Sequence, residues 1–286
     1  MVTFTNLVNV PISKVHTCFL DAFSNYEVPF NITLAELKYM LERRGCNFQL
    51  SYGAFNEGLL VGFVLNGIGS WNGLHTAYDT GTGVIPKFQG KGIAKKLFAY
   101  AFEDLQSNGI EQYLLEVIKT NTKAVRLYKE LGLNISREFD YYVFSKSKLN
   151  NFTSKNEFDI TFEEISNFSM DSSESFYTIQ PSWQNNKESI ERKRENFTFV
   201  KALINKTFVG FGIIEKHTGD IPQIAIHKEY RKQGVGEKLM RALAGFSTSE
   251  QLKVINIEKG YAPFEKLFNK LQLEPGKGQY EMILKF

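Results

Sequence analysis

Two short stretches of this chain combine glycine with polar and basic side chains in the same order. The first is Gln89, Gly90, Lys91, Gly92, Ile93 and Ala94. The second is Arg231, Lys232, Gln233, Gly234, Val235 and Gly236. Each follows an apolar run that reads as a strand, and each opens an amphipathic helix. A glycine-bearing loop at a helix N-terminus gathers unpaired backbone N–H groups at the positive end of the helix dipole, which is anion-binding chemistry. Two copies predict two related domains, each built to hold a phosphate-bearing ligand. Around the first copy lie groups that can move protons: the carboxylates of Asp79 and Glu116 and the phenol of Tyr128.

Three phosphate motifs compete for these loops. A Walker loop needs G-x-x-x-x-G-K-[ST], which neither copy has. The dinucleotide fingerprint G-x-G-x-x-G/A fails at its sixth position, where Lys95 and Leu239 stand. What remains is [Gln/Arg]-x-x-Gly-x-[Gly/Ala] after an apolar strand. In GVIPKFQGKGIAKKLF and IAIHKEYRKQGVGEKLM this resembles the acetyl-CoA loop of the GNAT acetyltransferase superfamily. The stretch LLEVIKTNTKAVRLYKELGL at 114–133 looks like the second half of such a domain, with an Asn-containing loop and A-x-x-L-Y.

The resemblance implies an α/β (α+β) fold of two tandem GNAT-like domains, each a mixed, mostly antiparallel twisted sheet flanked by helices. It implies an N-acetyltransferase that uses acetyl-CoA as cosubstrate. Backbone N–H groups from Gln89 to Ala94 would hold the pyrophosphate, with small residues letting the backbone approach it. Val84 and Ile85 inherit main-chain pairing with the pantetheine arm and an N–H for the developing oxyanion. Tyr128 matches the tyrosine that protonates the departing thiolate. A phenol and a thiol have pKa values of about 10 and 8.5, so that transfer is reasonable when the hydroxyl is aimed at sulfur. Glu116, with Asn121 and Tyr128, resembles the ribosomal-protein N-terminal acetyltransferase branch, where a glutamate at this spacing is the base; Asp79 is its rival. Asn121 either hydrogen-bonds the cofactor arm or caps the helix that follows. The acceptor is expected to be a small-molecule amine first and a peptide amine second. A non-catalytic acyl-CoA sensor is the competing reading.

The elements that must position these residues can be read from periodicity. A first strand over 2–8 precedes helices at 12–23 and 34–44, the second capped by Thr33. Strands at 48–55 and 59–65 flank the turn Asn56, Glu57, Gly58 and form a hairpin. A run over 75–85 enters the first glycine loop. Helix 92–106, strand 113–118, helix 121–131 and a closing strand 139–144 follow. The polar text between 145 and 157 has linker composition. The order then repeats: a strand at 158–165, a hairpin turned at Asn205 and Lys206, a strand 221–226 into the second loop, and a final strand 280–286. The expected domains are therefore 1–147, catalytic, and 157–286, degenerate, joined by a linker at 148–156. The degeneracy comes from alignment. Gln89 falls on Arg231, but Tyr128 falls on Phe268, Glu116 on Asn256, Asn121 on Tyr261 and Gly132 on Gln272. The second copy keeps the loop, a possible second cofactor site, and loses acid, base and amide together. The aromatic stretches 26–30, 63–71 and 181–184 are candidates to line an acceptor cleft.

Composition narrows the setting. With 286 residues, 43% hydrophobic and 23% charged, the chain suits two ordinary globular domains. A net charge of +3 argues for neither nucleic acid nor an anionic membrane as partner. The two cysteines, Cys18 and Cys46, make no metal-ligand spacing and suit a reducing setting. No run approaches the roughly 20 apolar residues of a membrane span. The opening residues lack the pattern of a signal peptide, so a cytoplasmic location is expected.

Overall fold

Both expected hairpins form, and their turns show why those residues stand there. Glu57 and Gly58 have φ of 51° and 78°, and Asn205 and Lys206 have φ of 48° and 66°. Two successive left-handed residues match the right-handed twist of the flanking strands. The computed structural model describes residues 1–25, 31–151, 159–166, 170 and 175–286. The chain forms two compact units, Met1–Ser136 with Tyr280–Phe286, and Arg137–Gln279.

The first unit runs β1 (Val2–Asn6), α1 (Ile12–Ala22), α2 (Leu34–Arg43), β2 (Tyr52–Asn56), β3 (Leu59–Trp71), β4 (Leu74–Val84), α3 (Ile93–Ser107), β5 (Gln112–Ile118) and α4 (Thr122–Glu130). Thr33 caps α2 as expected, in a capping box with Glu36. The strands β1 to β4 are successively antiparallel, and β4 pairs in parallel with β5. One face of this sheet packs on α3 through Leu97, Phe98, Ala101 and Leu105; the other packs on α1 and α2 through Val15, Phe19, Leu37 and Leu41.

The second unit contains most of β6 (Asn134–Ser145), then β7 (Ile160–Glu164), α5 (Lys187–Glu191), β8 (Phe197–Ile204), β9 (Thr207–Glu215), β10 (Gln223–Ile226), α6 (Val235–Gly245), β11 (Gln251–Glu258) and α7 (Ala262–Lys270). Here β7 to β10 form an antiparallel sheet in the order β10-β9-β8-β7, and β11 pairs antiparallel with β6. Its main core joins α6 and α7 through Leu239, Met240, Leu243 and Phe268.

The closing strands are exchanged relative to the expectation. The strand read as closing the first unit, β6, pairs with β11. The C-terminal strand, β12 (Gln279–Lys285), lies beside β5. Core chemistry explains both placements. Tyr142 of β6 stacks on Phe268 at 4.0 Å, whereas Met282 of β12 is fully buried in the core with Phe98 and Tyr113. The compact units therefore do not coincide with 1–147 and 157–286. Residues 148–151 of the expected linker belong to a short 3-10 helix, Lys146–Asn151, and 152–156 lie outside the described residues.

The duplication extends to irregularities. Val61 is an extra residue on β3 opposite β2, and Val209 is its counterpart on β9 opposite β8.

Candidate active site

The gap between β4 and β5 organises the first unit's chemistry. Their parallel register covers only Thr76–Gln112, Ala77–Tyr113 and Tyr78–Leu114. Beyond that point the strands part. Just past it, Thr80 is an extra residue on β4, since Leu65 faces Gly81 and Asn66 faces Asp79. A bulge increases local twist and bends the strand, which helps β4 leave its neighbour.

The first glycine loop closes the end of this gap. Gly90 and Gly92 adopt φ of 73° and 72°, and Gly92 caps α3 with no side-chain acceptor. The first turn of α3 carries no acid, while Lys91, Lys95 and Lys96 crowd it. Cations at a helix N-terminus oppose the dipole unless an anion joins them. A Cβ built at Gly90 or Gly92 meets nothing within 4 Å, so the backbone there is open to a ligand. A polyanion fits this loop.

Side chains at the loop have internal work. Gln89 donates from Nε2 to the Val84 carbonyl at 2.9 Å, and the Lys91 ammonium lies 5.0 Å from the centre of the Phe88 ring. The loop's donors are thus its main-chain N–H groups. Of the two strand-end residues, Ile85 donates its N–H to the Val61 carbonyl at 3.0 Å. That bond makes Gly62–Val84 a non-hydrogen-bonded pair, so the N–H and C=O of Val84 point away from β3. Of the two residues, Val84 directs its main-chain N–H away from β3, whereas the Ile85 donor is engaged within the sheet.

Strand alternation sorts the proton-moving groups by face. Tyr113, Leu115 and Val117 of β5 join the core that contains Tyr128. Glu116 therefore projects from the opposite face. Tyr128, buried on α4, meets Phe98 edge-on at 5.7 Å. Asn121 accepts the Ala124 N–H at 3.2 Å, so its side-chain oxygen caps α4. Glu116 is half-buried near Tyr78. Burial first, and then the Glu116 charge, hold the Tyr78 phenol well above its ordinary range.

Asp79 is more deeply set. It accepts the Thr82 hydroxyl at 2.7 Å and the Gly81 N–H at 2.9 Å. Burial nonetheless lifts its carboxyl to about 6, against the opposing pull of those bonds and of Arg44. Arg44 donates to the Thr80 carbonyl at 3.0 Å. Thr82 was within reach of sequence reasoning, as a strand neighbour of Asp79. Arg44 was not, because it arrives from the end of α2.

In two of the aromatic stretches expected to line an acceptor cleft, the large rings are buried. Phe63 and Trp71 are buried in the first unit, and Trp183 is buried in the second. Residues 26–30 lie outside the described residues. Among the described residues no group of three or more His, Cys, Asp or Glu could hold a metal, and no helix is long and apolar enough to cross a membrane.

The second loop repeats the backbone of the first. Lys232 and Gly234 have φ of 62° and 78°. Arg231 donates from Nε to the Ile226 carbonyl at 2.8 Å, as Gln89 does to Val84, and His227 donates its N–H to Val209 as Ile85 does to Val61. Gln233 donates to the Glu229 carbonyl at 2.8 Å, Val235 is buried, and Gly236 lies in the first turn of α6. Phe268 is a fully buried core residue, and Asn256 donates to Ser182 at 3.0 Å.

Comparison with known proteins gives the family. The family model described as Acetyltransferase (GNAT) family matches residues 16–133 and again 162–264. The chain belongs to the GNAT acetyltransferase family. Among curated relatives, the N-alpha-acetyltransferase MAK3 of Arabidopsis thaliana is 31% identical over 96 residues, 33% of this chain and 50% of that protein. The [Ribosomal protein bS18]-alanine N-acetyltransferase of Haemophilus ducreyi is 43% identical over 60 residues, 21% of this chain and 41% of that one. The chain thus spans half or less of the length of these relatives. A solved tandem GNAT protein from the clavulanic acid biosynthesis pathway is similar over 100% of this chain and 98% of its own, with a TM-score of 0.76 and 12% identity. That likeness establishes the tandem GNAT fold, in agreement with the α/β architecture of two such domains expected from the sequence.

Proposed function

We propose that the first unit transfers an acetyl group from acetyl-CoA to a primary amine by direct attack. One observation carries the reading: the uncapped, acid-free start of α3 closes a gap between β4 and β5 that has Tyr128 on one face and Glu116 on the other. The main-chain N–H groups from Gln89 to Ala94 hold the pyrophosphate, and Val84 offers its outward main chain to the pantetheine arm and to the carbonyl oxygen. Acetyl-CoA supplies an acyl group activated as a thioester. The Tyr128 hydroxyl gives its proton to the departing sulfur. Glu116 takes a proton from the acceptor's ammonium, directly or through water, to give the neutral amine that attacks the thioester carbonyl. Asn121 fixes the start of α4 and hence the position of Tyr128. Asp79, with a carboxyl near 6, is the second base candidate.

The acceptor is a small-molecule amine in this reading. A peptide amino terminus is the second reading, favoured by the names of both curated relatives and by the Glu116, Asn121, Tyr128 pattern. Thiol release followed with a chromogenic disulfide, against a panel of small amines and short peptides, tests both. Tyr128→Phe is expected to lower kcat by about 100-fold with little change in KM for acetyl-CoA. Glu116→Gln is expected to lower kcat/KM and to remove the acidic limb of the pH profile; if Asp79→Asn removes that limb instead, Asp79 is the base. CoA binding without thiol release from any amine would favour the sensor reading.

A further inference from the structure

Arg44 caps the C-terminal end of α2, and the residues after it fix where its side chain can reach. Gly45 follows in the left-handed region, with φ of 74°. The Gly45 N–H donates to the Glu42 carbonyl at 3.0 Å and the Cys46 N–H to the Leu41 carbonyl at 2.8 Å, which makes a Schellman stop. The chain then runs along β3. The Ile68 N–H donates to the Gly45 carbonyl at 3.0 Å, the Asn47 N–H donates to the Asn66 carbonyl at 2.9 Å, and Cys46 bridges Gly67. Gly67 admits this approach, since a Cβ built on it would stand 2.1 Å from the Arg44 carbonyl oxygen. Main-chain bonds thus tie the end of α2 to β3 and carry a guanidinium to β4.

That guanidinium lands on the extra residue of β4. Arg44 donates from Nη1 to the Thr80 carbonyl at 3.0 Å, and the Thr80 hydroxyl donates to the Leu65 carbonyl at 2.9 Å. The bulge is therefore held by β3 through its hydroxyl and by α2 through its carbonyl. It follows closely on Tyr78, where the parallel register of β4 with β5 ends. Beyond it on the same strand lies Val84, whose main chain faces away from β3. A charged donor gives a stronger bond than a neutral one, and a planar guanidinium fixes its direction. The bend at Thr80 sets how far β4 stands from β5.

We propose that Arg44 is a positioning residue for acetyl-CoA: by holding the Thr80 carbonyl it fixes the bulge, and so keeps the β4–β5 gap at the width the pantetheine arm needs. The proposal rests on the acetyl-transfer reading only in laying that arm between β4 and β5.

The test measures CoA binding by calorimetry and acetyl-CoA kinetics on the full chain. Arg44→Met removes the donor and the charge but keeps an extended side chain. It is expected to weaken CoA binding by about 10-fold, the scale of one charge-assisted hydrogen bond. The KM for acetyl-CoA is expected to rise by a similar factor while kcat stays within about 2-fold. Arg44→Lys keeps a charged donor and is expected to recover most of the affinity. Gly67→Ala displaces the end of α2 with the arginine intact and is expected to weaken CoA as well. Only variants that melt cooperatively are compared. If Arg44→Met does not fold, Arg44→Gln replaces it, with an expected loss of about 3-fold for a neutral donor. Unchanged CoA affinity in folded Arg44→Met or Gly67→Ala would overturn the proposal. So would a lysine variant no better than methionine. A fall in kcat with KM unchanged would also overturn it, because Arg44 would then act on the neighbouring Asp79 carboxyl and not on the gap. If the unaltered chain binds CoA but releases no thiol with any amine, the acetyl-transfer reading fails and the CoA affinities still decide the role of Arg44. If the unaltered chain binds no CoA, both fail.

Discussion

Asp79 shows how a single residue ties the site to the stability of the fold. Its carboxylate has two hydrogen-bond donors, yet burial dominates and lifts the carboxyl from 3.8 to about 6. A carboxyl held above its unfolded value stabilises the fold while protonated. That contribution is complete below about pH 4 and is lost as pH rises through about 6. Asp79→Asn keeps the volume and an acceptor for the Gly81 N–H but cannot ionise. It is expected to stabilise the protein at pH 7 by about 2 kcal/mol and to be near neutral at pH 4. Urea unfolding at pH 4, 5.5 and 7 checks this; equal stability differences at all three would refute burial as the cause. A raised carboxyl beside the β4–β5 gap is also poised to accept a proton near neutrality, which is why Asp79→Asn and Glu116→Gln belong in the same pH–rate experiment.

At the scale of elements, the strand–loop–helix unit was the most legible part of the chain. Glycine at 90, 92 and 234 announces left-handed backbone, and the helix after each loop has strong periodicity. The same loops show where sequence reading stops. Alignment preserves the Arg231 to Gly236 pattern, but it does not reveal that Gln89 and Arg231 both brace the preceding strand end rather than reach outward. Nor does it weigh Lys232, which holds φ of 62° where Gly90 sits at 73°. A left-handed non-glycine residue costs about 1 kcal/mol. Lys232→Gly removes that strain, offset in part by the greater freedom glycine gives the unfolded chain. The net expectation is a stabilisation of about 0.5 kcal/mol, read as a small rise in Tm. A fall in Tm of several degrees would mean that the lysine side chain makes a contact worth more than its strain. The bulges at Val61, Thr80 and Val209 were likewise illegible, because a strand with one extra residue keeps its composition and changes only its register.

At the scale of the molecule, the exchanged closing strands are what sequence order could not supply. Strands 139–144 and 280–286 are both dominated by large apolar and aromatic residues, so either can cover a sheet neighbour, and nearness along the chain favours the wrong one. What decides is shape in the core: Tyr142 fits flat against Phe268, and Met282 fills a site in the core of the first unit while Phe286 meets Phe102 at 5.3 Å. The Phe286 N–H also reaches the Glu111 carbonyl at 2.9 Å. Cutting the chain after residue 147 therefore removes a strand from the first unit. Loss of buried Met282 alone costs about 2 kcal/mol, and the side of β5 that β12 covers is left as an open edge prone to pairing with other chains. Residues 1–147 expressed alone are expected to aggregate or to elute as oligomers in size-exclusion chromatography. A synthetic peptide of residues 279–286 is expected to restore a monomer with a cooperative thermal transition. A soluble, cooperatively melting 1–147 monomer without the peptide would mean that β6 can take the place of β12, and that the exchange is a choice made by the 286-residue chain rather than a requirement of the first unit.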